Sequence, residues 1–333
     1  MTQNDSILLV AQKIFRPIPH LALVFLFTIA VFSSPVFAQH ADQCNVAILS
    51  NQHLDPACRC DLETVRNLAR QGHVYEQNQM GMVSMLAIGP DYNPAEAVQW
   101  FERAARKGYP AAQVNLAVMY INGWGVPQNY GVALHWLHEA ADQKYARAYY
   151  NLGILYLNGN GVPKDANEAL RFFQKGADAG DSSAQTNLGY LYDQGLGVKR
   201  DLPTAARWYR KAADDGNPMA QNNLADLYLR GEGVPQNDAL AFQLFLKAAA
   251  QGQTSARIKL GYMYSAGRGV SKNLPTAYAW VEAATEAGDA RGRDLLNDLA
   301  RQLNPTQLSA AKEQAKKLNA EARSELAESL LKP

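Results

Sequence analysis

The sequence predicts an all-α solenoid of stacked helical hairpins, and three observations carry that prediction. A Gly-x-Gly-Val turn returns five times, at Gly123, Gly159, Gly195, Gly231 and Gly267, each 36 residues after the last. Columns of Ala, Leu and Tyr keep the same period. So does a column that holds only Asn or Asp. One short helical hairpin cannot bury its apolar side alone, so copies must stack into a continuous core.

The first 38 residues stand outside that array and read as an export leader. Lys13 and Arg16 precede the apolar run LALVFLFTIAVF (Leu21–Phe32), and Val36 and Ala38 are small enough for cleavage after Ala38. A run of twelve residues is shorter than the roughly 20 a membrane-crossing helix needs. The expectation is a cleaved signal peptide, a periplasmic or secreted product, and no transmembrane segment after cleavage. Cleavage would remove Lys13, Arg16 and Asp5, taking 32 basic and 31 acidic residues to 30 of each. A balanced chain without a basic stripe gives no reason to expect nucleic acid as a partner.

Residues 39–60 show no period, read as irregular, and hold all three cysteines, Cys44, Cys58 and Cys60. An exported chain can oxidise them. One disulfide from Cys44 to either Cys58 or Cys60, with one thiol left over, is the expectation, and its pairing is open. Cys-Arg-Cys lacks the ligand spacing of a zinc finger, so no metal is expected.

Residues 61–92 fit the frame loosely, with Leu68, Ala69, Gly72 and Met80 in register. They read as a degenerate N-capping repeat, whose outer face must meet water. The regular array covers 93–303. Each unit opens with Ala, Leu and Tyr four residues apart, as in Ala112, Leu116 and Tyr120, which form one stripe of a helix. The Gly-x-Gly-Val turn follows. Its middle residue is Trp, Asn, Leu, Glu or Arg, so its side chain is free while the two glycines are held. That describes a backbone demand, positive φ or close approach, and not a phosphate loop, which needs a third glycine and a preceding strand.

The Asn/Asp column (Asn93, Asn129, Asp165, Asp201, Asn237, Asn273) supplies N-caps for the second helix. A second stripe follows, for example Ala133, Trp136, Leu137 and Ala140. Gly108, Gly180, Gly216, Gly252 and Gly288 close it. Lys144 stands where that glycine belongs, which predicts a strained or differently built turn. Residues 304–333 read as a C-terminal capping helix and tail, starting at Asn304-Pro305, with Leu308, Ala311, Ala315 and Leu318 on one face.

These columns resemble the Sel1-like repeat, a 36-residue relative of the tetratricopeptide repeat. The resemblance implies a right-handed α-solenoid that binds other molecules in its concave groove. Exported bacterial relatives act as adaptors in envelope signalling, polysaccharide secretion and host contact. In the wider superfamily the helix carrying Leu-Gly-x-x-Tyr lines the groove; here it reads YNLGILY (Tyr150–Tyr156) in one unit. The residue before the leucine is Asn115, Asn151, Asn187 and Asn223, then Lys259. An asparagine at the matching place can hold an extended peptide, because its amide donates and accepts. The same ladder could instead bond neighbouring loops and set repeat spacing.

One turn further along the same face lie Ile154, Tyr190, Asp226, Tyr262 and Asp298, flanked by Tyr150, Thr186, Asn222 and Ile258. Two tyrosines and two acids point to a mixed groove, aromatic with local negative charge. His135, His138 and Asp142 share a face of one second helix, but the zinc-protease spacing is missing and a solvated face is expected. The functional expectation is a non-enzymatic exported scaffold that binds a protein partner and needs no cofactor. A polysaccharide ligand is the alternative. A β-lactam-binding hydrolase is a weaker one, because the relatives linked to that activity carry a cysteine pair in each repeat and this array has none.

Overall fold

The computed structural model describes residues 56–86 and 92–329, with side chains for 62–85 and 92–320. The signal-peptide reading and Cys44 lie outside the described residues. Of Cys58 and Cys60 only the backbone is described.

Among the described residues the chain is helical throughout, with no strand. A cap helix α1 (Pro56–Gln71) precedes six hairpins. Their first helices are α2 (Val74–Leu86), α4 (Pro110–Asn122), α6 (Ala146–Asn158), α8 (Ser182–Gln194), α10 (Pro218–Arg230) and α12 (Thr254–Ala266). Their second helices are α3 (Pro94–Ala105), α5 (Tyr130–Asp142), α7 (Ala166–Asp178), α9 (Leu202–Asp214), α11 (Asp238–Ala250) and α13 (Leu274–Glu286). A short α14 (Arg293–Gln302) and a long α15 (Pro305–Ser329) close the stack. Helix α1 begins at Pro56, inside the segment read as irregular. No described helix is long and apolar enough to cross a membrane.

The caps predicted from the sequence are the caps observed. In all six second helices the Asn or Asp side chain accepts from a first-turn amide, as Asn237 does from Leu240 at 3.0 Å. First helices α4, α6, α8, α10 and α12 end on a glycine in the left-handed region, whose N–H returns to the last turn. The second glycine of each turn does different work. A Cβ on Gly125 would strike the carbonyl of Pro94, the first residue of the preceding second helix. This is the close approach that joins one hairpin to the next, and it permits no side chain.

The middle residue of that turn is not always free. Arg268 donates from Nε and Nη2 to the two oxygens of Asp238, at 3.0 and 2.8 Å, and ties the last turn to α11. Lys144 adopts φ of 61° and keeps the turn that glycine makes elsewhere. Its N–H donates to Ala141 O at 2.9 Å, as Gly180 N–H does to Ala177 O at 3.2 Å.

Packing within a hairpin places a small residue of the first helix against a large one of the second. Gly153 lies against the ring of Phe173, where an added Cβ would sit 2.5 Å from the ring. Gly189 does the same for Tyr209. Alanine takes the equivalent place at Ala117, which packs with Leu137, and at Ala225, which packs with Phe245. The Ala and Leu columns (Ala148, Leu152, Ala184, Leu188) are wholly buried, and each cluster joins a hairpin to its neighbour.

A further column was not singled out from the sequence. Gln77, Gln113, Gln185 and Gln221 are buried in the first helices, and each donates from Nε2 to a carbonyl eight residues back, at the end of the preceding helix. Tyr149 Oη donates to Ala141 O at 2.8 Å from the same position, and Arg257 Nε to Ala249 O. These donors satisfy carbonyls that helix ends leave without intrahelical partners. At the C-terminus Arg257 also donates to Asn319 Oδ1 at 2.6 Å, and Asn319 Nδ2 to Glu286 Oε2 at 2.8 Å. This pins α15 against α13 and α11, on the second-helix layer.

Candidate interaction face

Side chains of neighbouring first helices meet on one common face. Asn115 Nδ2 donates to Asn78 Oδ1 at 2.9 Å, Arg147 to Ser183 Oγ at 3.0 Å, Ser255 Oγ to Asn222 Oδ1 at 3.1 Å and Lys259 Nζ to Asp226 at 2.8 Å. Each bond spans one repeat, so the first helices converge here, and α6 touches α8 directly. This converging side is the inner face of the stack.

The sequence-predicted residues all fall on it, with very different access. Tyr190 and Tyr262 are the open ones, at 40% and 47% exposure. Ile154, Asn115, Asn187, Asn223, Asp226 and Lys259 are partly buried. Tyr150 and Asn151 are both 3% exposed and Asn222 is 7% exposed, so most of each side chain is structural. Tyr150 packs on Phe173 beneath the Arg147 guanidinium, and its hydroxyl has no hydrogen-bond partner. Burial pushes that hydroxyl far above its ordinary pKa, against the opposing pull of Arg147.

The asparagine ladder divides its labour. Asn151 and Asn187 donate from Nδ2 to carbonyls four residues back, Arg147 O at 2.8 Å and Ser183 O at 2.9 Å. Asn115 spends its donor on Asn78. Asn223 accepts from Asn222 at 3.3 Å. The Tyr209 hydroxyl donates to Asp193 at 3.4 Å, and burial first, then Asp193, raises its pKa. Asp193 therefore joins Tyr190 one turn away; it was missed in the sequence because Ile121, Leu157, Leu229 and Ser265 hold its place in other units, with no acid among them.

The histidines lie elsewhere. His135 and His138 are exposed on α5, a second helix, packed against Trp136 and Phe172 rings. Among the described residues no three His, Cys, Asp or Glu side chains come together in a way that could hold a metal ion.

A non-repeating face on a stack of near-identical hairpins defines a helical-repeat interaction scaffold. The family is Sel1: the Sel1 repeat model matches residues 77–109, 110–145, 146–181, 182–217, 218–253 and 254–289, and the chain belongs to that family. It is 33% identical to a Sel1 repeat protein from Oxalobacter formigenes, over 64% of this chain and 86% of that one, with a TM-score of 0.58. It is 27% identical to c5321, a protective antigen present in uropathogenic Escherichia coli strains displaying an SLR fold. That likeness covers 87% of this chain and 70% of the other, with a TM-score of 0.57. Comparison with curated proteins gives no match.

Proposed function

We propose that this chain is an exported, non-enzymatic adaptor that binds a segment of a partner protein along the inner face of its solenoid, in envelope signalling or assembly. The observation that carries the reading is where the repeat breaks. Leu188 and Leu260 are wholly buried and repeat faithfully, whereas Tyr190 and Tyr262, two residues further on, are exposed aromatics that replace valine and isoleucine. Exposed aromatics add little to a fold and are common anchors in interfaces.

The mechanism is preorganisation. Helices pinned by N-caps, left-handed glycines and buried donors hold the inner-face side chains in place. A partner then docks without ordering the scaffold, which removes part of the usual entropic cost of binding. Export rests on the leader-like first 38 residues, and delivers the scaffold to the envelope.

Native pull-down tests this. Wild type and an outer-face variant, His135→Ala, should recover the same stoichiometric partner. A Tyr190→Ala, Tyr262→Ala double variant should lose it with an unchanged melting temperature. Retention of the partner by the double variant would sink the reading.

A further inference from the structure

The following rests on the inner-face reading above and names the chemistry of the segment that docks there. From α8 onward one column of that face alternates: Tyr190, Asp226, Tyr262, Asp298. Leu299, 1% exposed, holds the buried place that Met263 holds one repeat earlier, so α14 keeps the register and Asp298 belongs to the column. Asp193 adds a third carboxylate one turn from Tyr190.

Within this stretch the amide ladder contributes one acceptor, at Asn187. Asn187 spends one of its two amide N–H groups on Ser183 O, which leaves its oxygen able to accept, whereas Asn151 is 3% exposed and stays structural. Carboxylates, this amide oxygen and tyrosine faces suit a partner that donates and carries positive charge.

The chain itself shows that an ammonium fits. Lys259, standing where the ladder would have asparagine, places Nζ 2.8 Å from Asp226. That pair is partly solvent-exposed, as is Asp298 with Arg301 at 3.3 Å. Exposed pairs of this kind hold weakly and can be exchanged. Packed helices stand about 10 Å apart, and an extended chain rises about 3.3 Å per residue. Asp226 and Asp298, two repeats apart, are thus separated by about six residues of extended chain.

We propose that the inner face over α8–α14 docks an extended basic segment of another protein, with Lys or Arg side chains about six residues apart. Each cation pairs with Asp226 or Asp298 and lies beside Tyr190 or Tyr262, where the ring face adds cation–π attraction.

The test uses the full mature chain and four fluorescein-labelled synthetic Gly/Ser peptides of equal length, read by anisotropy. One carries two lysines about six residues apart, matching the spacing of the two aspartates. A second carries its two lysines about three residues apart, and the third and fourth carry glutamates or leucines at the wide spacing. The widely spaced lysine peptide should bind at least about tenfold more tightly than the glutamate peptide and more tightly than the closely spaced lysine peptide, with affinity falling as salt rises. Asp226→Asn and Asp298→Asn should each weaken it several-fold, and Lys259→Met should strengthen it, at unchanged helicity. Equal or tighter binding of the glutamate peptide, or indifference to both aspartate variants, overturns the inference. If the leucine or glutamate peptide binds instead and Tyr190→Ala with Tyr262→Ala abolishes it, the basic chemistry is wrong and the inner-face reading stands. If no peptide binds, the inference falls, and the pull-down above decides the inner-face reading separately.

Discussion

Lys144 is the residue at which this chain departs from its own rule. It holds φ of 61° where five other hairpins use glycine. A side chain in the left-handed region costs roughly 1 kcal/mol or more, offset in part because glycine is freer in the unfolded chain. Lys144→Gly should therefore raise stability by about 0.5–1 kcal/mol, read as a higher urea midpoint. An unchanged midpoint would mean the turn carries no strain. Asp289 offers a second test at this scale. Its carboxylate is 8% exposed, bonded by Arg291 and by Thr254 Oγ1 at 2.9 Å, and the Arg291 bond is the larger cause of its lowered pKa. A lowered folded pKa stabilises the protein above the ordinary carboxylate value near 4, and that contribution is lost as pH falls from there toward the lowered folded value. Melting temperature should drop as pH falls below about 4, and Asp289→Asn should drop less.

Residues of this kind were legible in the sequence when few types could serve. Only glycine makes the close approach of Gly125, and only short polar side chains cap, so those columns could be read from identity. The buried donor column was not, because Gln, Tyr149 and Arg257 share a long donor and nothing else. Burial on the inner face was also hidden. Tyr150 and Tyr190 sit one repeat plus four residues apart on the same side, yet the first is covered by Arg147 and the second is open.

At the scale of elements, one substituted position adds a polar tie to the C-terminal helix. Arg257 replaces the glutamine of its column, keeps the bond to Ala249 O and adds the bond to Asn319 on α15. Arg257→Gln should keep the first bond and lose the second. Hydrogen exchange in α15 should then speed by about tenfold or more, while α12 amides stay protected. Unchanged exchange in α15 would show that apolar contacts through Ala311 and Ala315 suffice. The start of this helix at Asn304-Pro305 and its apolar face were visible in the sequence. Its docking on α13 and α11 was not, since it follows no repeat.

For the whole molecule, stacking makes the functional argument. Each hairpin spends its apolar residues on its neighbours, the outer layer is closed at its end by α15, and the side that varies between repeats is the one where first helices converge. The period alone led to that architecture, because identical units leave few ways to bury identical stripes. The partner's identity was not legible, since it depends on exposed residues that obey no period. Photo-cross-linking in the native cell tests the account most directly, with a reactive side chain placed at Tyr190 or Tyr262 on the inner face, or at Trp124 or His135 away from it. The account predicts one discrete adduct from the two inner positions and none from the others. The same adduct from Trp124 or His135, with none from the tyrosines, would contradict it.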